Sequence, residues 1–435
     1  MTFNYFMNHL RKKHRLNAWV SKMSKRVGPG LITGAADDDP SGIVTYSNIG
    51  AQFHYGLLWL AFYCYPLMVA VQEICARIGW VTGQGISTII KKRFSAKIYY
   101  PLIFIFVAIN VFNIGADLLA MSGVAGLLVN APRDFFMFFF ALVIIGLEIF
   151  LSYRNYSKFL RYLCLFLLAY PISAILAQPG WGEVIKSLFV PIISSSKMYL
   201  LAVVAFLGTT ISPYLFFWQS SEEVEDEIDG GKINGFGEKP RRVDGREIRK
   251  INWDTRLGMF ISEIITIFII VAAGRILFES GIHNIETAQQ AAMTLVPLVG
   301  QKAMFLFSLG IIGTGLLAIP VLAGASAYAL SEAFNQKEGL YLKLNQAKFF
   351  YGIIVLSILI ALMANFLQIS SMVLLYWTAI INGLITPFIL LCLMIVSNDK
   401  KIMGSHTNTR WLNILGWTTT VVMVLSVVGL IFLSI

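Results

Sequence analysis

The chain has 435 residues, of which 57% are hydrophobic and only 13% charged, with a mean hydropathy of +0.71 and a formal net charge of +10. Those proportions exclude an ordinary water-soluble domain and an intrinsically disordered chain, and they indicate a polytopic membrane protein. The positive charge does not point to nucleic acid, because it sits in short segments between apolar runs, where it would hold loops against anionic lipid.

The first 26 residues are polar and basic, with neither the apolar core nor the small-residue cleavage site of a signal peptide. Apolar runs of about 20 residues, long enough to cross a bilayer, then recur near 29–50, 56–79, 100–129, 134–152, 157–178, 198–220, 256–278, 302–330, 346–366, 370–396 and 411–434. The fold class expected is therefore an all-α membrane protein of eleven transmembrane helices. With the N-terminus inside, 29 of the 34 Lys and Arg residues fall on the inner side, which predicts a multi-pass plasma-membrane protein with a cytoplasmic tail. Cys64, Cys75, Cys164 and Cys392 all lie within spans without metal-site spacing, and no disulfide is expected.

Span 1 is the weakest by hydropathy because it carries Asp37-Asp38-Asp39-Pro40-Ser41-Gly42. Carboxylates at bilayer depth are costly and by default mark an ion or substrate path. Pro40 removes a helix hydrogen bond and Gly42 permits unwound backbone, so a broken helix with freed carbonyls is expected there. In span 2, Glu73 precedes Arg77 by one turn, the spacing of an internal ion pair. Asn110, Asn113 and Asp117 form a polar stripe in span 3, serving either an interhelical hydrogen-bond network or the lining of an ion path. The phenylalanines between Phe135 and Phe140 in span 4 read as lipid-facing bulk, and Glu148 and Glu263 as acids near inner ends that snorkel to the interface.

Span 6 contains a second interruption, Gly208-Thr209-Thr210-Ile211-Ser212-Pro213. Broken helices at corresponding positions of two halves point to a transporter binding site, since unwound backbone at membrane depth is tolerated only where it lines a cavity. Spans 1 to 5 (residues 27–178) and spans 6 to 10 (residues 198–396) would then be inverted repeats, with residues 411–434 as an extra span. The cytoplasmic loop 221–254 begins with the acidic run Glu222 to Glu227 and ends in a basic block. The plain expectation for such a charge run is a solvated surface.

Gly28-Pro29-Gly30 followed by Asp39-Pro40-Ser41-Gly42 resembles the span 1 signature of the NRAMP divalent-metal transporters, whose core reads Asp-Pro-Gly-Asn. Gly56-Leu57-Leu58-Trp59, Val81-Thr82-Gly83, Ala116-Asp117-Leu118, Pro213, Asn382 and Pro387 extend the likeness along the whole chain. The resemblance implies a fold like that of the leucine transporter, with an ion site between the two broken helices and alternating access around it. It also implies a transporter rather than an enzyme.

The departures from the family pattern are informative. Gly42 stands at the position of the span 1 asparagine ligand and Ser212 at that of the span 6 methionine, whose thioether favours soft ions. Tyr214 and Gln219 replace the span 6 histidines, and Ala120 replaces a span 3 acid. In these features the chain resembles the NRAMP-related magnesium transporter branch, which admits a partly hydrated ion without proton coupling. Mg²⁺ keeps several waters and takes only one or two carboxylates. The expected metal site is thus Asp39 as carboxylate, Ala36 and Thr209 as carbonyls, Ser212 as hydroxyl and Gly42 as spacer. Asp37, Asp38, Asn113, Asp117, Tyr214, Gln219 and Asn382 would line the vestibule or support the ligands, and helix N-capping is the plainer role for one of the three aspartates. Mg²⁺ or Mn²⁺ would be the transported substrate. No cofactor, nucleic acid or obligate protein partner is expected, only the cations and the lipid bilayer. The rivals are a proton-coupled Mn²⁺/Fe²⁺ importer and a sodium-coupled amino-acid symporter, whose carboxylate substrate the three aspartates would repel.

Overall fold

The computed structural model describes residues 28–434 apart from 241–242, 286–287, 289–291, 293–300 and 364–370. The tail 1–26 and its basic residues lie outside the described residues. Every regular element among the described residues is helical. In chain order these are α1 (Pro29–Asp37), α2 (Pro40–Phe53), α3 (Leu58–Thr82), α4 (Ile86–Arg93), α5 (Ala96–Val129), α6 (Arg133–Phe150) and α7 (Tyr153–Leu163). A 3₁₀ segment, Cys164–Leu168, leads into α8 (Ala169–Leu176), then α9 (Trp181–Phe189), α10 (Lys197–Thr210), α11 (Pro213–Asp229) and α12 (Gly245–Ala273). The chain closes with α13 (Gln301–Ala333), α14 (Lys348–Met363), α15 (Ser371–Ser397), α16 (Lys400–Met403) and α17 (Arg410–Ser434).

Eight helices among the described residues are long and apolar enough to cross a membrane. The other segments read as spans are the broken pair α1/α2, the more charged α6 and the 16-residue α14.

Both predicted breaks are present, and proline sets each of them. Pro40 and Pro213 occupy the first turns of α2 and α11, where the missing amide hydrogen costs nothing. The residues before them, Asp39 and Ser212, are extended, as a following proline requires.

Glycines then let α1 pack tightly on α12. A Cβ at Gly34 would lie 2.2 Å from the Gly258 backbone, and one at Gly30 would lie 2.6 Å from the Thr255 amide. This is the small-residue packing by which membrane helices approach closely. Asp254 of α12 completes the junction: its carboxylate accepts the amides of Gly28 and Gly30 at 2.9 and 2.8 Å, satisfying donors that the start of α1 leaves open.

Several local expectations give way. Glu73 pairs with Arg256 of α12 rather than with Arg77, whose Nη1 donates to the Thr407 carbonyl at 3.3 Å. Neither acid expected to snorkel does so. Glu148 is buried and accepts from Tyr156 at 3.0 Å, and Glu263 is buried within α12. Phe135, Phe138 and Phe139 are exposed, but Phe140 is buried, because a helix with one lipid-facing side turns its other side inward. The acidic run is not a wet surface. It extends the helix of span 6 to Asp229, and Glu222, Glu223, Glu225 and Glu227 are buried. Glu225 shows why: it accepts from Tyr328 at 2.6 Å and from the amides of Leu340 and Tyr341 at 2.5 and 3.2 Å, fastening the segment after α13.

Candidate functional site

The two breaks meet at the centre of the bundle. Tyr214, in the first turn of α11, donates to the Ala36 carbonyl in the last turn of α1 at 2.8 Å. Tyr46 of α2 and Thr210 at the end of α10 are joined hydroxyl to hydroxyl at 3.0 Å. A Cβ on Gly42 would lie 3.2 Å from the Asp37 carbonyl, 3.2 Å from Thr209 Cγ2 and 3.3 Å from the Tyr46 ring. Gly42 therefore does not leave open room in this arrangement. It permits a close approach between the broken helices, a correction to the spacer role.

Asp39 is 2% exposed and each of its oxygens accepts one hydrogen bond: Oδ1 accepts the Gly42 amide at 2.6 Å as the N-cap of α2, and Oδ2 accepts from Asn113 Nδ2 at 3.0 Å. The plainer capping role thus falls to Asp39. The two roles are compatible, because a carboxylate has about four lone-pair positions and two are used here. The Ser212 hydroxyl turns back onto the carbonyls of Thr209 and Gly208, at 2.6 and 3.1 Å. In this arrangement the Ala36 and Thr209 carbonyls, expected to be freed by the breaks, are occupied by Tyr214 and Ser212.

Around Asp39 lies a set of acids with unfilled acceptor capacity. Asp37 receives Ser262 at 2.9 Å on one oxygen and Asp38 receives Thr266 at 3.2 Å on one, while the other oxygen of each is buried without a partner. Asp117 approaches the Ser41 amide, but neither of its oxygens makes a full hydrogen bond. Glu263 is within electrostatic reach of Asp37 and Asp38 and has both oxygens unpartnered. No Lys or Arg forms an ion pair with any of these five carboxylates among the described residues. Buried carboxylates without a basic partner need a cation or protons as compensation. They are strung out rather than gathered: among the described residues no three His, Cys, Asp or Glu side chains converge as a metal cage.

Two predicted residues stand apart. Gln219 donates to Glu223 at 2.8 Å, one turn further along α11, so it serves the acidic run and not the breaks. Asn382 is buried on α15, where its carbonyl accepts from Thr386 at 2.5 Å; the same hydroxyl lies 3.4 Å from the Ile211 carbonyl in the second break. The sequence reading missed the contribution of α12. Ser262, Glu263 and Thr266 are spaced to share one side of the otherwise apolar second half of α12, and that polar stripe was the available signal.

The Nramp family pattern, described as Natural resistance-associated macrophage protein-like, matches residues 30–433. The chain belongs to the Nramp family. A relative from Klebsiella pneumoniae, the divalent metal cation transporter MntH, is 24% identical over 407 residues, spanning 92% of this chain and 91% of its own. Among solved structures, the Eremococcus coleocola manganese transporter superposes with a TM-score of 0.70 at 18% identity, covering 92% of this chain and 84% of that one. Mhp1, a nucleobase-cation-symport-1 family transporter, gives 0.57 at 13% identity, over 94% and 91% of the two chains. The likeness to these solved structures gives this Nramp protein an all-α fold of the leucine-transporter type, and its family membership makes it a membrane transporter rather than an enzyme.

Proposed function

We propose that this Nramp protein carries divalent metal cations across the membrane, with Mg²⁺ as the main substrate and Mn²⁺ as a competent second one. Cation transport of this kind is what its curated relative is named for. The observation that supports the finer reading is the oxygen-only chemistry of the breaks: we assign to the ion the Asp39 carboxylate, the hydroxyls of Ser212 and Thr209 and the carbonyls of Ala36 and Thr209, and neither break carries a thioether or imidazole. Hard oxygen donors with few carboxylates suit an ion that retains part of its water shell. Asp39 would bind the ion or its shell while still capping α2. Ala36 and Thr209 would become available as Tyr214 and Ser212 release them during opening. An inside-negative potential contributes about 2.3 kcal/mol per charge per 100 mV, and roughly double for a divalent ion, so uptake has no energetic need of a proton.

One observation favours a second reading, a proton-coupled Mn²⁺/Fe²⁺ importer: Asp37, Asp38, Glu263 and Asp117 form a run of protonatable groups beside the site. Flux into liposomes with Mg²⁺, Mn²⁺ or Ca²⁺ outside and a pH-sensitive dye within separates the two. Saturable Mg²⁺ flux with a silent dye supports facilitated Mg²⁺ uptake. Acidification that accompanies Mn²⁺ uptake, with no Mg²⁺ flux, replaces it with the second reading.

A further inference from the structure

A cavity of about 390 Å³ lies on the flank of the bundle between α3, α12 and the start of α17, well away from the breaks. Arg77 and Arg256 line it together with Glu73, Thr409, Trp411 and Leu415. We propose that it binds one anionic phospholipid of the leaflet adjoining the Lys- and Arg-rich loops, holding the phosphodiester between Arg77 and Arg256.

Three observations converge on a phosphate group. Arg77 is only 6% exposed, yet its Nε is buried without a partner among the described residues, so a buried cationic fork stands incompletely used. Arg256 has a side chain 59% exposed and shares the single carboxylate of Glu73, which leaves the pair of arginines with a net positive charge. The N-terminus of the 25-residue α17 lies beside them, with Thr409 and Trp411 lining the cavity at the positive end of the helix dipole. Helix N-termini and guanidinium forks are the two groups that most readily recognise phosphate oxygens.

The lower wall explains why a lipid and not free phosphate fits. Tyr65 lies at the far end of the cavity, 12 residues before Arg77 on α3, a distance of about 18 Å along the helix. Between Tyr65 and Glu73 the α3 wall is apolar, with Pro66, Val69 and Ala70 facing Leu412 and Leu415 of α17 and offering a track for an acyl chain. Trp411 and Trp253, 74% and 57% exposed, mark the level at which indoles settle at the headgroup boundary. Basic pockets between transmembrane helices on the inner side are suited to lipid headgroups.

The test is a titration of the full-length chain in neutral detergent by native mass spectrometry, with phosphatidylglycerol, phosphatidylcholine or inorganic phosphate as the probe. One phosphatidylglycerol is expected to bind saturably and more tightly than phosphatidylcholine. Arg77→Gln should weaken it about five-fold, the factor one basic group contributes near an anionic headgroup. Arg256→Gln, at an arginine whose side chain is 59% exposed, lowers the charge of the cavity by one while leaving Glu73 beside Arg77; it should weaken binding similarly and decides the matter if Arg77→Gln does not fold. Equal affinity for the two lipids, or unchanged binding in the Arg256 variant, overturns the site. Inorganic phosphate that competes as strongly as the lipid overturns the lipid assignment.

Discussion

The two broken helices share a backbone plan and differ in chemistry. Each is interrupted before a proline, and each second half starts from an extended residue. The first break presents three aspartates, and its extended residue, Asp39, turns its carboxylate forward to cap α2. The second presents only neutral groups, and Ser212 turns its hydroxyl backward onto α10, leaving α11 without a side-chain cap. Charge is thus concentrated on one side of the meeting point, and the groups that occupy the carbonyls, Tyr214 and Ser212, come from the other. We read the first break as the ion-binding half and the second as the half that closes on it.

Asp39→Ala tests that division with the largest expected effect. It deletes the one carboxylate that touches Gly42 and Asn113, so Mg²⁺ flux into liposomes should fall at least 100-fold. Removal of the cap should also destabilise the protein by about 1 kcal/mol. Undiminished flux would move the ion-binding half elsewhere. Gly42→Ala probes the closure. Its methyl would press on the Asp37 carbonyl, Thr209 and Tyr46 at 3.2 to 3.3 Å. Overpacking of this kind costs roughly 1–3 kcal/mol, so flux should fall about ten-fold while Mg²⁺ still binds in titration calorimetry. Wild-type flux would mean that the tight packing at Gly42 is not visited during transport.

Ser212→Met changes the neutral side alone. A thioether in place of the hydroxyl should shift the ratio of Mn²⁺ to Mg²⁺ flux about ten-fold toward Mn²⁺, since sulfur prefers the softer ion. A ratio that does not move would separate Ser212 from the ion and leave it only its hydrogen bonds to Gly208 and Thr209.

How far the sequence carried this picture depended on whether a signal was local. Both breaks were legible because Pro40 and Pro213 act on their own neighbours. The helix order was legible because each span is a continuous apolar run. The use of each acid was not legible, since it depends on what another helix brings. Glu73 has Arg77 one turn away but meets Arg256, 183 positions on in the chain. The acids from Glu222 to Glu227 look like surface until Tyr328 and the amides of Leu340 and Tyr341 cover Glu225. Gly42 read as a spacer because its contact with Thr209 exists only once the two breaks are packed together.

Tyr214→Phe gives the smallest expected effect and the sharpest view of the relation between the halves. The Tyr214 hydroxyl occupies the Ala36 carbonyl, the same oxygen we propose for the ion, so hydroxyl and ion would compete for one acceptor. Removal of the hydroxyl leaves that carbonyl buried and unsatisfied when no ion is present. This raises the energy of the empty state without altering the carboxylate side. A net hydrogen bond contributes about 1 kcal/mol, so Mg²⁺ should bind about five-fold more tightly to the variant in titration calorimetry. Release should slow in the same measure, because the group that would reclaim the carbonyl is gone. If binding instead weakens, Tyr214 holds α1 in its ion-competent shape, and the second break supports the site rather than competing for it.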